Sequence, residues 1–191
     1  MITKASKYGV QKKNILMKIP PIPITKSELD KIESLNDIKL ETIAFVALVL
    51  GKIDNVKYKR KAKKGGELEY YCNNFKEMFI ISNVRSNKEQ REKYIEQLSE
   101  TKLFELTVFC DLKINFVDES EECEFTIEKY DNFVLEYLSY KGENVDYCVM
   151  CCTPFLPTNN KLKYCKNCAK EIWNNNRIEY NKRHYNKIKN K

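Results

Sequence analysis

"YCVMCCTPFLPTNNKLKYCKNCA" (Tyr147–Ala169) places five cysteines within 21 residues. Four of them form two C-x-x-C pairs, Cys148 with Cys151 and Cys165 with Cys168, in the pattern C-x2-C-x13-C-x2-C. A C-x-x-C turn holds two sulfurs at the separation a tetrahedral ion needs, and four thiolates satisfy Zn2+. The spacing therefore predicts a zinc site. Four sulfur ligands leave no open position for water, so such an ion holds structure and does not activate a nucleophile. It supplies folding free energy that a module of ~45 residues cannot draw from its own core.

Metal is favoured over disulfide by the rest of the chain. The first residues, "MITKASKYGVQKKNILMKIP", lack a long apolar region followed by a small-residue cleavage site. The longest apolar run, Ile43–Leu50, has eight residues, against the ~20 a spanning helix needs. Both features predict a cytoplasmic protein, where thiols stay reduced. A length of 191 residues suits one ordinary domain plus a small module.

Charge is unevenly placed. The net charge is +7. Residues 1–110 sum to about +7, residues 111–147 to about −8 and residues 148–191 to about +8. The last 31 residues carry ten Lys or Arg against Glu171 and Glu179. A basic tail beside an acidic segment suggests a polyanionic partner. In "AKEIWNNNRIEYNKRHYNKIKNK", Ile172 and Trp173, with Ile178 or Tyr180, are expected to pack inward. Arg177, Lys182, Arg183, Lys187, Lys189 and Lys191 lie beyond them. Basic residues interleaved with Tyr180, His184 and Tyr185 suit phosphate contacts and base stacking.

The cysteine stretch resembles the treble-clef zinc fingers common in phage and bacterial proteins. That pattern is a C-x-x-C-G knuckle, an aromatic, a loop, then Y-C-x-x-C opening a helix. Here the knuckle is "CVMCC", the aromatic is Phe155 and the second pair sits in "KYCKNCAKEIW". The resemblance implies a small core over the metal from Phe155, Leu162, Tyr164, Ile172 and Trp173, and a hairpin turning at Asn159-Asn160. One position departs. The family has Gly after the knuckle, where positive φ is needed, and this chain has Cys152. Either Cys152 adopts that conformation, or it replaces Cys151 as ligand.

Working toward the N-terminus, "FTIEKYDNFVLEYLSYKG" reads as an amphipathic helix, with Tyr130, Phe133, Val134, Tyr137 and Leu138 on one stripe and Gly142 at its end. "DESEE" is an acidic loop. From Phe104 through Leu106, Val108, Cys110, Leu112 and Ile114 to Phe116 the apolar period is 2, which predicts two strands with a turn near Asp111. Ser86 and Glu89 predict a capping box for the helix "NKEQREKYIEQLSE", with Tyr94, Ile95 and Leu98 on its buried side. A short helix in "NNFKEMFIISNV" is capped by Asn73 or Asn74, and "LEYYC" is a strand. "IKLETIAFVALVLGKI" is apolar nearly all round and reads as a central helix. Thr25 and Glu28 predict a capping box for "KSELDKIESL", and "IPPIPIT" is extended. Cys72, Cys110 and Cys123 are expected to be small buried or half-buried residues.

These elements predict an α+β protein in four parts: an extension with a short helix (1–36), a larger domain (37–142), the zinc module (147–175) and a basic helical tail (176–191). The order helix, strand, short helix, helix, strand, strand, helix resembles a winged helix-turn-helix domain, as found in bacterial and phage regulators and replication initiators. The resemblance implies that Asn87–Glu100 is the recognition helix. Lys88 and Arg91 would then contact nucleic acid. Lys59 and Arg60, in the basic loop "KYKRKAKK", are further phosphate-contact candidates, as are Arg177, Lys182, Arg183 and Lys187 in the tail.

No catalytic motif is present: there is no G-x-x-x-x-G-K-[ST], G-x-S-x-G or G-x-G-x-x-G. His184 is the one histidine, so a histidine-metal nuclease lacks ligands and base. The expectation is a non-enzymatic protein of phage or mobile-element type that binds nucleic acid, DNA first, with a structural zinc site made of four cysteines. The alternative is a phage protein that inhibits a host defence or transcription complex by contacting a host protein or ribonucleoprotein, by mimicry or occlusion of nucleic acid.

Overall fold

Prolines at 20, 21 and 23 hold the chain extended, and β1 (Ile22–Ile24) forms there. The computed structural model describes residues 20–58, 68–119, 122–128, 130, 132–158 and 162–189, the last four by their backbone alone. The basic loop that includes Lys59 and Arg60, and the Asn159-Asn160 turn, lie outside the described residues.

Helix α1 (Lys26–Glu33) starts at the capping box expected of Thr25 and Glu28. The Thr25 hydroxyl accepts from the Glu28 N–H at 3.2 Å, and the Glu28 carboxylate accepts from the Thr25 N–H at 3.1 Å. Glu28 is fully buried and does more than cap. Lys52 Nζ donates to it at 2.7 Å and the Asp118 N–H at 2.9 Å. Lys52 also donates to the Pro23 carbonyl at 2.7 Å. One carboxylate thus joins three distant segments, its buried charge compensated by an ammonium and two amide donors.

Helix α2 (Ile38–Tyr58) is the central element. Every residue from Glu41 to Val49 is buried, as expected of a helix apolar on all faces. Elements before and after it in the chain pack on it from all sides. Strand β2 (Tyr70–Cys72) follows. Helix α3 (Phe75–Ile81) is capped by Asn74, whose side chain accepts from the Glu77 N–H at 3.0 Å.

Helix α4 (Lys88–Glu100) begins one residue later than the predicted box. Its cap is Asn87 paired with Gln90, at 2.9 and 3.0 Å, not Ser86 with Glu89. The Ser86 hydroxyl is otherwise engaged: it donates to the Val84 carbonyl at 3.1 Å and accepts from Arg91 Nε at 3.4 Å.

Strands β3 (Phe104–Leu106) and β4 (Leu112–Ile114) make a hairpin. With β2 they form an antiparallel sheet in the order β2-β4-β3, registered Tyr70↔Ile114 and Phe104↔Ile114. Helix α2 lies against β2 and β4, and α4 against β3. Gly51 permits the close approach. A Cβ there would stand 2.6 Å from Ile114 Cδ1.

The period-2 reading holds for Phe104, Leu112, Ile114 and Phe116, which are buried. It fails at Leu106, Val108 and Cys110, which are exposed. Residues 107–111 are the hairpin tip, closed by the Thr107 N–H donating to the Asp111 carbonyl at 2.9 Å. The last strand pair is Leu106↔Leu112. Beyond it, alternation continues in sequence with no ladder to sustain it.

Strand β5 (Phe125–Ile127) corrects the predicted long helix. It pairs with β1, Ile22↔Ile127 and Ile24↔Phe125, so residues 125–127 are extended. Helix α5 covers only Phe133–Tyr140. Its stripe is as expected at Phe133, Val134 and Tyr137, all buried, and Gly142 follows at φ +77°. Phe45 of α2 stacks on Tyr137, ring centroids 4.6 Å apart. Ile22, Ile24, Leu29 and Ile32 of the N-terminal segment belong to this same core.

After α5, strands β6 (Asp146–Tyr147) and β7 (Pro154–Phe155) pair antiparallel, and helix α6 (Lys166–Lys189) completes the chain. The architecture is mixed α/β, with six helices and three small sheets among the described residues. No helix among them is long and apolar enough to cross a membrane.

Candidate metal centre and nucleic-acid interface

Two local structures bring the four sulfurs together. The first is the knuckle between β6 and β7. The Cys148 N–H donates to the Thr153 carbonyl at 3.0 Å, and the Cys152 N–H donates to the Cys148 carbonyl at 2.8 Å. The second is the start of α6, with Cys165 just before the helix and Cys168 in its first turn. The two parts are tied by the Val149 N–H, which donates to the Lys163 carbonyl at 3.0 Å.

The Sγ atoms of Cys148, Cys151, Cys165 and Cys168 all lie within 4.8 Å of one another. A tetrahedral ion with Zn–S bonds of about 2.3 Å sets its sulfurs about 3.8 Å apart. Cys151 and Cys165 stand at 3.7 Å. Cys148, Cys165 and Cys168 are buried, and Phe155 packs against them. The donor set, its spacing and its shielding fit a metal ion.

The protonation of the cluster points the same way. Burial pushes the Cys148 thiol up, but N–H groups of Cys165, Cys151 and Met150 outweigh it and bring the thiol down to about 6. Thr153 lowers Cys151, through its hydroxyl first and its N–H second. Cys168 is raised, because it holds a proton shared with Cys151 and Cys165. Four crowded sulfurs cannot all ionise beside one another, and a divalent cation is what takes the place of their protons. Cys72 behaves differently. Burial pushes its thiol up to about 12, and it is a core residue.

Cys152 sits at φ +54°, in the left-handed region the resemblance assigns to Gly, and is not a member of the sulfur cluster. Its thiol is exposed. Cys110 and Cys123 are exposed too, against the expectation of burial. Cys110 is at φ +60° in the hairpin tip, and Cys123 lies two residues before the short strand β5.

The small core over the cysteines is thinner than expected. Phe155 supplies it, with Leu162 and Ile172 half-buried, while Tyr164, Trp173, Ile178 and Tyr180 are exposed. The two-stranded hairpin is too small to offer a second face to α6. Trp173 instead carries the Arg177 guanidinium over its ring, 5.0 Å from the centroid.

The predicted cationic residues fall on different elements. On α4, Lys88 lies 3.8 Å from Glu92, and Lys93 lies 3.1 Å from Glu89. Arg91 is half-buried, its guanidinium 5.4 Å from the Phe79 ring centroid. On α6, Arg177 and Lys182 are exposed, and Arg183 meets Glu179 at 3.2 Å while remaining largely exposed. Lys187 belongs to α6, its side chain outside the described residues. The hairpin tip carries a bare hydrophobic pair that the alternating pattern did not foreshadow, Val108 and Phe109, which are 91% and 85% exposed. The signal for it was Thr107, whose hydroxyl accepts from the N–H groups of Phe109 and Asp111 and turns the chain before Asp111.

Compared with known proteins, the chain matches no family model, no curated protein and no solved structure.

Proposed function

We propose that the protein binds nucleic acid through α6, on a mount fixed by a structural zinc ion at Cys148, Cys151, Cys165 and Cys168, and that it is not an enzyme. One observation carries the reading. A helix of 24 residues leaves the sulfur cluster with Arg177, Lys182 and Arg183 in solvent. Cations without a protein face to cover are suited to phosphate. The knuckle, hairpin and helix, with positive φ after the knuckle, support a treble-clef assignment for the module. Strand order β2-β4-β3, with α2, α3 and α4, supports a winged-helix assignment for the first domain. Resemblance on both counts favours a phage or mobile-element DNA-binding protein.

The test is fluorescence anisotropy of full-length protein with labelled mixed-sequence DNA, duplex and single-stranded, from low to physiological salt. Affinity should fall steeply with salt, and Arg177→Ala, Lys182→Ala and Arg183→Ala should each flatten the dependence. No binding at low salt to either form removes the reading.

A second reading, contact with a host protein, is favoured by the first domain. On α4, Lys88 and Lys93 stand beside Glu92 and Glu89 at the exposed surface and Arg91 lies over Phe79, and the hairpin tip is apolar where a DNA-binding wing would be cationic. Capture of a stoichiometric protein from nuclease-treated host lysate, lost in Phe109→Ser, would support it. Unchanged capture by that variant would count against it.

A further inference from the structure

The nucleic-acid reading leaves open which form is bound, and the exposed aromatics of α6 bear on that. Trp173, Tyr180 and Tyr185 are 60%, 68% and 66% exposed. An α-helix turns once in about 3.6 residues. Trp173, Arg177, Tyr180 and His184 therefore fall along one line, while Ile178 and Tyr185 lie about a third of a turn round the helix from it. Within it, Arg177 lies over Trp173, and the Tyr180 and His184 rings are near-parallel, 23° apart with centroids at 6.3 Å.

Such a surface is costly to leave in water, since each ring exposes a large apolar face. A duplex offers nothing to cover it. Its bases are stacked on one another, and it presents phosphates and groove edges. A single strand presents base faces, and every base has one. A second copy of the helix is the other occupant to weigh. Residues 166–189 hold seven Lys or Arg against Glu171 and Glu179, so two such helices side by side would repel. A strand that brings both π-faces and negative charge meets both features at once.

Resting on the nucleic-acid reading above, we propose that one face of α6 is a platform for single-stranded nucleic acid: bases stack on Trp173, Tyr180 and His184 while Arg177 and Arg183, on and beside that line, neutralise the flanking phosphates. Trp173 is the one tryptophan in the chain, so its emission reports stacking directly.

The experiment titrates full-length zinc-loaded protein with three oligonucleotides of equal length: a single strand, its duplex, and a single strand with abasic sites throughout its centre. Expected are quenching of Trp173 by the single strand, little by the other two, and single-strand affinity about tenfold above the abasic strand. Trp173→Leu and Tyr180→Leu should each lower single-strand affinity several-fold and leave the abasic strand unaffected. Equal affinity for intact and abasic strands, or duplex preferred over single strand, overturns this inference and leaves phosphate binding by α6 standing. No binding of any of the three removes the nucleic-acid reading itself. A self-associated species in sedimentation that buries Trp173 and excludes the single strand also overturns it.

Discussion

Cys152 offers the sharpest test of the metal centre, because its backbone and its thiol make opposite predictions. At φ +54°, an L-residue is disfavoured by roughly 1–2 kcal/mol relative to right-handed backbone. Glycine removes that strain, but its freer unfolded chain offsets about 0.4–1 kcal/mol of the gain. The side chain is exposed and outside the sulfur cluster, so its removal loses little packing. Cys152→Gly should therefore stabilise the folded module by about 0.5–1 kcal/mol. Metal binding and folding of a small module are one equilibrium, so zinc affinity should rise about two- to fivefold. Competition with a chromophoric chelator at fixed pH measures this, alongside metal stoichiometry. Cys151→Ser is the companion and should lower affinity sharply. The reasoning is refuted if Cys152→Gly loses metal while Cys151→Ser keeps it, for then the ligand is the other thiol of the pair.

Other outcomes follow from the first domain. Lys52→Ala strands the buried Glu28 carboxylate and should cost about 3–5 kcal/mol in urea unfolding; a loss below ~1 kcal/mol would mean that the N–H donors alone suffice. Gly51→Ala brings a Cβ to 2.6 Å from Ile114 Cδ1, the end of a side chain that can turn aside, with backbone no nearer than 3.5 Å, so displacement of that methyl should offset the ~1 kcal/mol gain in helix propensity and leave urea stability within about 1 kcal/mol of the parent. Burial, and then the Glu41 carboxylate to which it donates at 2.9 Å, raise the Tyr137 hydroxyl well above the ordinary tyrosine range. A raised folded pKa stabilises fully below the unfolded value and is lost above it, so stability should decline as pH climbs past ~10, less so in Tyr137→Phe. Full-length protein monitored by far-ultraviolet circular dichroism across that range shows the difference.

What could be read from the chain was what local geometry decides. Thr25 and Glu28 are three residues apart, and their reciprocal bonds need nothing else. The C-x-x-C pairs are similar: each turn sets two sulfurs, so spacing alone anticipates the cluster. A cap at Asn73 or Asn74 was readable for the same reason, and Asn74 is the one that serves. Long-range choices were not readable. Phe125–Ile127 scans as the start of a helix because Tyr130, Phe133 and Tyr137 continue the 3.6 period. The competing pairing partner, Ile22–Ile24, lies far away in the chain, and no local window contains it. Trp173 failed for a third reason. Large aromatics are usually covered, but whether a partner face exists depends on how little hairpin the module owns. Ser86 and Glu89 show a subtler limit: two overlapping boxes fit, and the prior engagement of the Ser86 hydroxyl with Val84 decided for Asn87 and Gln90.

The position of α2 has a consequence for how the molecule comes apart. Helices α1, α3, α4 and α5, and strands β1, β2 and β4, all rest on it, so peeling any one away strips cover from residues such as Phe45 and Leu48. Their amides should exchange with deuterium only when the whole first domain opens at once. The C-terminal module meets that domain chiefly where β7 touches α5. Chelator should therefore hasten exchange in Cys148–Ala169 and leave the amides of Phe45–Val49 as slow as before.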